Sequence, residues 1–187
     1  MSEDVRKWIN EDGERFLRSI GLKEGQIVLD FGCGEGHYTI PLAKVVGEKG
    51  KVYGFDKDKE ALNSLRRLML TQRLKNIELI KGNTKLPLRG ASLDAVLCYD
   101  VIHYYRARGP LYEEIYRLLK PSGLFSLYPK HYRDDFPLME LVNIDLEEII
   151  REAERAGFVL KSKLFRVLLH NEHYNEGCVI NFNKLGA

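Results

Sequence analysis

The sequence predicts an α/β fold in which helices cover both faces of a mostly parallel sheet, forming a doubly wound three-layer sandwich. Two observations support this prediction. Short apolar runs alternate with amphipathic segments of helical period, which is the pattern of right-handed βαβ units. A glycine-rich turn also follows the first apolar run directly. The chain has 187 residues, against roughly 150 for a typical domain, so we expect a single domain over residues 1–187.

The individual elements follow from residue periodicity and from the breaks that glycine and proline introduce. Apolar runs that predict strands buried on both faces lie at 26–31, 51–56, 77–80, 93–98 and 124–128. Helical stripes lie at 36–46, 62–69, 110–119 and 146–153. Two final strands, about 158–168 and 176–183, are joined at 170–175 by a connection short enough for an antiparallel hairpin. We further expect an N-terminal helix within 1–24 and a candidate substrate loop at 129–144.

Composition excludes several classes of protein. With 44% hydrophobic and 30% charged residues, the chain can form a sizeable core and is not a disordered tail. No apolar stretch approaches the roughly 18 residues of a membrane span, and the first residues lack an export signal, so we expect a cytoplasmic protein without a membrane partner. The 29 basic and 27 acidic side chains nearly balance, so nucleic acid is neither implied nor excluded as a partner.

Metal binding is not predicted. Cys33, Cys98 and Cys178 are far apart and form no C-x-x-C pair, which also argues against a disulfide framework. His170 and His173, with Glu172 and Cys178, hint at a ligand cluster, but a polar hairpin tip explains them equally well.

The most informative motif is the glycine loop after the first strand, where Asp30 precedes Gly32, Gly34 and Gly36. Glycines let the backbone turn sharply and let a ligand approach main-chain N–H groups beside a helix N-terminus. A dinucleotide loop would place its third glycine at residue 37, which is histidine. Asp56 ends the second predicted strand and can accept both hydroxyls of a ribose, which favours a nucleoside-bearing ligand. A helix cap for the segment beginning near Lys59 is the alternative role for Asp56.

These residues resemble the class I S-adenosylmethionine-dependent methyltransferases, and among them the small-molecule group that includes quinone-biosynthesis enzymes. The resemblance covers about residues 26–130. It rests on five ordered motifs, which are VLDFGCGEG at 28–36, VYGFD at 52–56, KGNTKLP at 81–87, LDAVLCYDVIH at 93–103 and LLKPSGL at 118–124. The resemblance implies a seven-stranded sheet of order 3-2-1-4-5-7-6 in which strand 7 is antiparallel.

The resemblance also implies S-adenosyl-L-methionine as cofactor and S-adenosyl-L-homocysteine as product. The three loop glycines would pass under the methionine portion of the cofactor, with Asp30 near its ammonium group and Asp56 holding the ribose. Lys57 stands where the family often has an apolar residue against adenine, and Asn83 where it usually has an aspartate. The full set of expected cofactor-binding residues is Asp30, Gly32, Cys33, Gly34, Gly36, Asp56, Lys57, Asn83, Thr84 and Tyr99.

The acceptor side is expected beyond the fourth strand. Asp100 and His103 are the candidate catalytic residues, because a carboxylate or an imidazole can take a proton from a hydroxyl, thiol or protonated amine. The alternative is structural, with His103 in a hydrogen bond and Asp100 capping a turn. Aromatic and basic side chains that would wall an acceptor pocket are Tyr128, Lys130, His131, Tyr132 and Arg133, with Tyr104, Tyr105, Arg106 and Arg108.

The sequence therefore predicts a methyltransferase that acts on an unidentified small molecule. Three alternatives stay open at this point. One is a methyltransferase acting on RNA or protein, one is a binding module that retains the cofactor without turnover, and one is a nicotinamide dehydrogenase, which His37 disfavours. A homodimer that completes the acceptor pocket is also left open.

Overall fold

The computed structural model describes residues 1–186 and contains, within them, seven strands and six α-helices. The strands are β1 (Ile27–Phe31), β2 (Lys51–Asp56), β3 (Ile77–Lys81), β4 (Leu93–Tyr99), β5 (Leu119–Tyr128), β6 (Phe158–His170) and β7 (His173–Lys184). The helices are α1 (Glu3–Lys7), α2 (Gly13–Ser19), α3 (Thr39–Val46), α4 (Lys59–Thr71), α5 (Gly109–Leu118) and α6 (Leu146–Arg155).

The seven strands form one sheet of order β3-β2-β1-β4-β5-β7-β6. β1, β2 and β3 pair in parallel, β4 and β5 pair in parallel, and β7 is antiparallel to β5. In the chain, α3 lies between β1 and β2, α4 between β2 and β3, and α5 between β4 and β5, and these helices pack on β2, on β2 and β3, and on β5 respectively. The predicted fold class, strand order and antiparallel seventh strand are therefore confirmed.

The chain divides into two compact units. The first comprises Met1–Asn83 with Leu168–Asn175, and the second comprises Thr84–Val167 with the segment from Glu176 onward. Ala187, the last residue of the single predicted domain, lies outside the described residues. The single domain stays a prediction, and each unit is described by itself below.

In the first unit, β1 and β2 run side by side and end at the same level. Phe31 is paired in register with Phe55, and the two buried rings pack with centroids 4.9 Å apart. Because parallel strands end at one edge of a sheet, the loops that follow Phe31 and Asp56 begin next to each other. This edge carries the glycine loop.

The N-terminal segment of the first unit is helical from Glu3 to Ser19 in three consecutive pieces, because a π-helix at Trp8–Asp12 separates α1 from α2. The Lys44 ammonium donates to the Ile9 carbonyl at 2.9 Å, which provides a partner for a carbonyl within the π-helical turn. A Cβ at Gly13 would lie 2.8 Å from the Trp8 carbonyl oxygen and 2.9 Å from Pro41. Glycine at this position therefore lets the helix lie directly against α3.

In the second unit, β4 and β5 end together, with Tyr99 in register with Tyr128. β5 begins at Leu119, five residues before the predicted start, because Leu119 already pairs with Leu93. The next paired residues are Ala95 and Leu124, so β5 carries extra residues that bulge out between the two pairs. Pro121 and Gly123, which end the helical pattern in the sequence, therefore lie within this irregular strand.

The final hairpin is tighter than predicted. β6 continues to His170 and β7 starts at His173, which leaves a two-residue turn in place of the six-residue connection expected at 170–175. Asn171 and Glu172 both have positive φ, 48° and 67°, as the two central residues of a type I′ turn require.

Across residues 1–186, no helix has the length and apolar character needed to span a membrane.

Candidate functional site

The glycine loop of the first unit is held by hydrogen bonds to its neighbouring strand. The Gly32 and Cys33 N–H groups both donate to the Phe55 carbonyl, at 2.7 and 3.0 Å, and the Gly36 N–H donates to the Cys33 carbonyl at 2.9 Å. Gly32, Gly34 and Gly36 all have positive φ, 78°, 51° and 91°. The loop geometry is thus one that side chains with a Cβ rarely adopt.

Gly34 and Gly36 differ in what surrounds them. No described atom lies within 4 Å of a Cβ built on Gly34, so the backbone there faces open space. A Cβ built on Gly36 would overlap the Leu65 side chain of α4, which is itself fully buried. Gly34 therefore leaves room for a ligand against the main chain, whereas Gly36 is needed for the packing of α4.

The Asp56 carboxylate is connected to this loop. Its Oδ2 accepts the Gly34 N–H at 2.8 Å, and its Oδ1 accepts the Asp58 N–H at 2.9 Å. Asp58, and not Asp56, is the N-cap of α4, since its side chain accepts the N–H groups of Glu60 and Ala61 at 2.8 and 3.3 Å. The helix-cap alternative for Asp56 is therefore wrong. Each carboxylate oxygen of Asp56 has a second lone pair that can accept a ligand hydroxyl.

Asp30 lies at the end of β1 and is 2% exposed. Burial raises the pKa of this carboxyl to about 7, an effect that the Asp56 charge increases and the Thr39 hydroxyl, which donates at 2.6 Å, opposes. Burial likewise raises the pKa of the neighbouring Cys33 thiol, so this sulfur is a buried apolar group and not a thiolate. A buried carboxyl near neutrality is a group whose charge a cationic ligand would stabilise.

The expected adenine-side residues are less enclosed. Lys57 and Asn83 are exposed, and Asn83 lies in a bend that follows β3. Gly82, directly before it, leaves the space that the Phe55 ring occupies, since a Cβ there would lie 2.7 Å from the ring. Thr84 is exposed at the start of the second unit. Their expected contacts with adenine stay predictions.

In the second unit, three predicted acceptor-side groups cluster beyond β4 and β5. The Asp100 Oδ1 lies 3.5 Å from the His103 Nδ1 and 3.3 Å from the His131 Nε2. The two imidazole rings pack edge to face with centroids 4.7 Å apart, and both are buried. The sequence named Asp100 and His103 as a candidate catalytic pair, and the structure brings them together.

His131 was expected only as part of a pocket wall, and its contact with Asp100 was missed. The signal was present in the strand order, because Asp100 follows β4, His131 follows β5, and the ends of adjacent parallel strands meet. Asp100 itself has a positive φ of 59° and donates its N–H to the Tyr128 carbonyl at 2.8 Å. The turn expected at Asp100 is therefore present and is anchored to β5 through the backbone.

Tyr99 and Tyr128 end their strands as a pair of buried rings with centroids 5.9 Å apart. The Tyr99 hydroxyl shares a hydrogen bond of 2.7 Å with the Ser126 hydroxyl. The Tyr128 hydroxyl has no hydrogen-bond partner among the described residues, and burial raises its pKa. A Cβ at Gly177 would lie 2.4 to 2.9 Å from the Tyr128 ring and hydroxyl, so glycine there makes room for this side chain.

Two of the basic side chains expected around the acceptor pocket, Lys130 and Arg108, are paired with acidic residues of the second unit. Lys130 is 1% exposed and contacts the Asp135 carboxylate at 2.7 Å and the Glu176 carbonyl at 3.0 Å. Arg108 forms a bidentate ion pair with Glu152, in which Nε donates to Oε2 at 2.7 Å and Nη2 donates to Oε1 at 2.6 Å. These two cations are therefore paired within the second unit and are not a free anion-binding surface.

A family model described as a methyltransferase domain matches residues 22–166, which is well over half of the chain. The chain belongs to this methyltransferase family. The matched residues include the glycine loop, Asp56 and the acceptor-side cluster. The predicted family and its methyl donor, S-adenosylmethionine, are confirmed, and the nicotinamide dehydrogenase alternative loses its support.

Solved structures of this methyltransferase fold match along nearly the whole chain. A SAM-dependent methyltransferase from Aquifex aeolicus is 27% identical with a TM-score of 0.77, and the match covers 99% of this chain and 100% of that one. A putative methyltransferase from Bacillus halodurans shares the fold at 16% identity, with a TM-score of 0.74 over 94% of this chain and 100% of that one.

Curated relatives match a shorter stretch. The demethylmenaquinone methyltransferase of Oceanobacillus iheyensis is 33% identical over 112 residues, which is 57% of this chain and 45% of that protein. The protein of the same name from Lactobacillus johnsonii is 35% identical over 112 residues, 59% of this chain and 46% of that protein. The chain thus spans about half the length of the curated relatives it matches.

Proposed function

We propose that this protein transfers a methyl group from S-adenosylmethionine to a small-molecule acceptor. The observation that carries the proposal is the hydrogen bond of 2.8 Å from the Gly34 N–H to the Asp56 carboxylate, in a loop with open space over Gly34. This pairing joins a surface that a ligand backbone can lie against to a carboxylate that can accept ribose hydroxyls. Family membership supports the same function.

The residues of the first unit fit this cofactor by their chemistry. Gly32, Gly34 and Gly36 would lie under the methionine portion with Cys33 in the loop between them, and Asp30 would accept its ammonium. The buried Asp30 carboxyl, with its pKa raised to about 7, would ionise more readily beside that cation. Asp56 would hold the ribose. The remaining proposed contacts are those of Lys57, Asn83, Thr84 and Tyr99.

S-adenosylmethionine supplies a methyl group already activated by the positive charge on its sulfur. The protein's own tasks are therefore to align the acceptor, exclude water and, where the acceptor carries a proton, remove it. We assign the last task to Asp100 and His103. His103 would take the proton, and Asp100, 3.5 Å from its Nδ1, would orient the ring and stabilise the resulting charge.

The acceptor class we propose is a planar small molecule with an ionisable hydroxyl group. Support for a planar molecule comes from the relatives named as demethylmenaquinone methyltransferases and from the tyrosine pair at the ends of β4 and β5. Support for the hydroxyl comes from the Asp100 and His103 pair, which can take its proton. RNA is the weaker candidate, because basic groups such as Lys163 are already paired with acids, in this case with Glu147 at 2.8 Å. A cytoplasmic location and a homodimer stay predictions.

Cofactor binding is tested by calorimetry on two acids that are close together in the chain but act differently. Asp56→Asn should weaken S-adenosylmethionine binding at least ~10-fold, because a hydrogen bond from a ligand to a charged group contributes roughly 1.5–3 kcal/mol. Asp58→Asn is the matched control and should bind the cofactor nearly as the wild type does, since Asp58 caps α4. Equal losses in both variants, or no binding by the wild type, would contradict the proposed site.

The acceptor is identified by transfer of labelled methyl from S-adenosylmethionine into a metabolite extract, run with and without total RNA. Label in a small molecule supports the proposal. Label only in RNA or protein would assign a macromolecular acceptor. Cofactor binding without transfer into any of these fractions would leave a non-catalytic binding module as the function.

A further inference from the structure

We propose that His131 is a positioning residue that fixes the orientation of Asp100. The proposal rests on the function proposed above and extends it, because it adds a member to the acceptor-side cluster. The observation is that one oxygen, Asp100 Oδ1, lies within 3.5 Å of two imidazole nitrogens, His103 Nδ1 and His131 Nε2. All three side chains belong to the second unit.

The tautomer of His131 follows from its other nitrogen. His131 Nδ1 lies 2.9 Å from the Phe136 carbonyl oxygen. A carbonyl oxygen can only accept, so Nδ1 carries the hydrogen in this contact. The Phe136 carbonyl therefore determines that Nδ1 is the ring nitrogen that donates to the backbone. Nε2 is then the nitrogen that faces Asp100.

The contact on the Asp100 side then depends on a proton. With Nδ1 already protonated, Nε2 at 3.3 Å from Asp100 Oδ1 is attractive only when a proton lies between the two atoms. A proton in that position would hold Asp100 Oδ1 against the His131 ring. His103 Nδ1 lies 3.5 Å from this same oxygen, so a shift of Asp100 in the absence of His131 would also move the His103 ring.

The backbone holds His131 on both sides. Lys130 and His131 both adopt left-handed conformations, with φ of 40° and 57°, which cost free energy in residues other than glycine. The fully buried Lys130 ammonium anchors this turn on Asp135 and the Glu176 carbonyl, and the His131 carbonyl accepts the Leu138 N–H at 3.0 Å. A strained turn fixed by this many contacts places the ring reproducibly.

The chemical consequence concerns the first step at the acceptor. The acceptor hydroxyl would give its proton to His103 Nε2, which leaves the acceptor as an oxyanion and His103 with hydrogens on both ring nitrogens. The Nδ1 hydrogen then faces Asp100. His131 packs edge to face on His103 but exchanges no proton with the acceptor, and it acts by holding the carboxylate that stabilises the positive charge on His103.

Two amide substitutions separate the functions of the two His131 nitrogens. In His131→Asn the amide can replace Nδ1 toward the Phe136 carbonyl, whereas in His131→Gln the longer amide can replace Nε2 toward Asp100. We expect kcat of the Asn variant to fall about 100-fold, the order of loss that misplacing a catalytic group by about 1 Å produces. Its KM for S-adenosylmethionine should be unchanged, and the Gln variant should retain kcat within a few-fold of wild type.

Ring nitrogen signals of His103 in ¹⁵N NMR spectra give a readout that needs no acceptor. They should shift in His131→Asn and stay near the wild-type positions in His131→Gln. Unchanged His103 signals in the Asn variant would overturn the proposal even for a protein that methylates nothing. Equal losses of kcat in both variants, accompanied by equal losses of stability in urea, would also overturn it by showing a structural role. Failure of the wild type to bind the cofactor would instead refute the proposed function.

Discussion

The glycine loop and the acceptor-side turns solve the same backbone problem with different residues. Around the loop after β1, the left-handed positions are Gly32, Gly34 and Gly36. In the turns after β4 and β5, the left-handed positions include Asp100, Lys130 and His131. Glycine adopts such conformations at little steric cost, whereas for other residues the left-handed conformation raises the free energy by roughly 1–2 kcal/mol each.

The choice of glycine or of another residue at these left-handed positions reflects whether the backbone or the side chain is expected to act. On the cofactor side, the ligand is expected against main-chain groups, so no side chain is needed and glycine adopts the left-handed conformation without a Cβ clash. On the acceptor side, the side chains of Asp100 and His131 are themselves in contact, at 3.3 Å, so strained backbone is retained to place them. Four substitutions test this comparison.

The largest expected effect is on the pH dependence of stability in Asp30→Asn. The pKa of Asp30 is raised to about 7 in the folded state by burial, against about 3.9 in an unfolded chain. Below pH 4 both states hold the proton, and as the pH rises toward 7 the unfolded state releases it first, so stability falls. The loss amounts to about 4 kcal/mol above pH 7, and the Asn variant should not show it.

Urea denaturation of wild type and Asp30→Asn from pH 4 to pH 8 measures this slope. The matched control is Asp134→Asn, at a residue whose side chain is 64% exposed, and this variant should keep the wild-type slope. Parallel curves for wild type and Asp30→Asn would contradict the assignment of a raised pKa to Asp30.

The second effect is a loss of stability in Gly36→Ala of about 3 kcal/mol, the sum of a left-handed Cβ and an overpacked contact. The added methyl group would overlap Leu65 of α4. Gly34→Ala has a similar backbone conformation but open space around it, so it should lose only about 1 kcal/mol. Chemical denaturation measures both variants, and equal losses would mean that Leu65 moves away.

The third effect is on turnover in Asp100→Gly, which should fall about 100-fold because the proton-transfer pair is lost. Relief of the left-handed conformation offsets the greater backbone entropy of glycine, so the free energy of unfolding should stay within about 1 kcal/mol of wild type. Turnover at saturating acceptor and urea denaturation measure the two quantities. A variant with full turnover would show that Asp100 only forms the turn, as the structural alternative holds.

The smallest effect is at the hairpin turn, where Glu172 is left-handed but lies outside the proposed site residues. Glu172→Gly should gain about 0.5 kcal/mol, because the steric cost removed slightly exceeds the entropy lost. Glu154→Gly, at an exposed position within α6, should lose about 1 kcal/mol and serves as the matched comparison. Denaturation midpoints distinguish them, and a loss at both positions would refute the steric argument.

Most helices and strands could be predicted from the sequence because they depend on local periodicity. Asp56 ends β2 as predicted, and β3 and β4 extend only one residue beyond their predicted ends. The errors fall where long-range pairing overrides local signals. α5 ends before Pro121 and Gly123, as the pattern predicts, but β5 begins at Leu119 and not at 124 because Leu119 pairs with Leu93. Asn171 and Glu172 form a two-residue turn although glutamate, unlike asparagine, does not favour a left-handed conformation.

The sequence by itself determined the family of this protein and the position of its glycine loop. Gly32, Gly34, Gly36 and Asp56 are recognisable because their conformations and charge are properties of the residue types and of their spacing along a strand and a turn. Their roles toward the cofactor remain the proposal that the Asp56 and Asp58 variants test.

Only the tertiary structure decided which acid caps α4, which glycine is needed for packing, and which side chain meets Asp100. His131 is 31 residues beyond Asp100 in the chain, and their contact exists because β4 and β5 are parallel neighbours that end together. The structure likewise showed that Lys130 and Arg108 are paired inside the second unit. Local pattern specifies elements and their ends, whereas contacts between the ends depend on strand order and register.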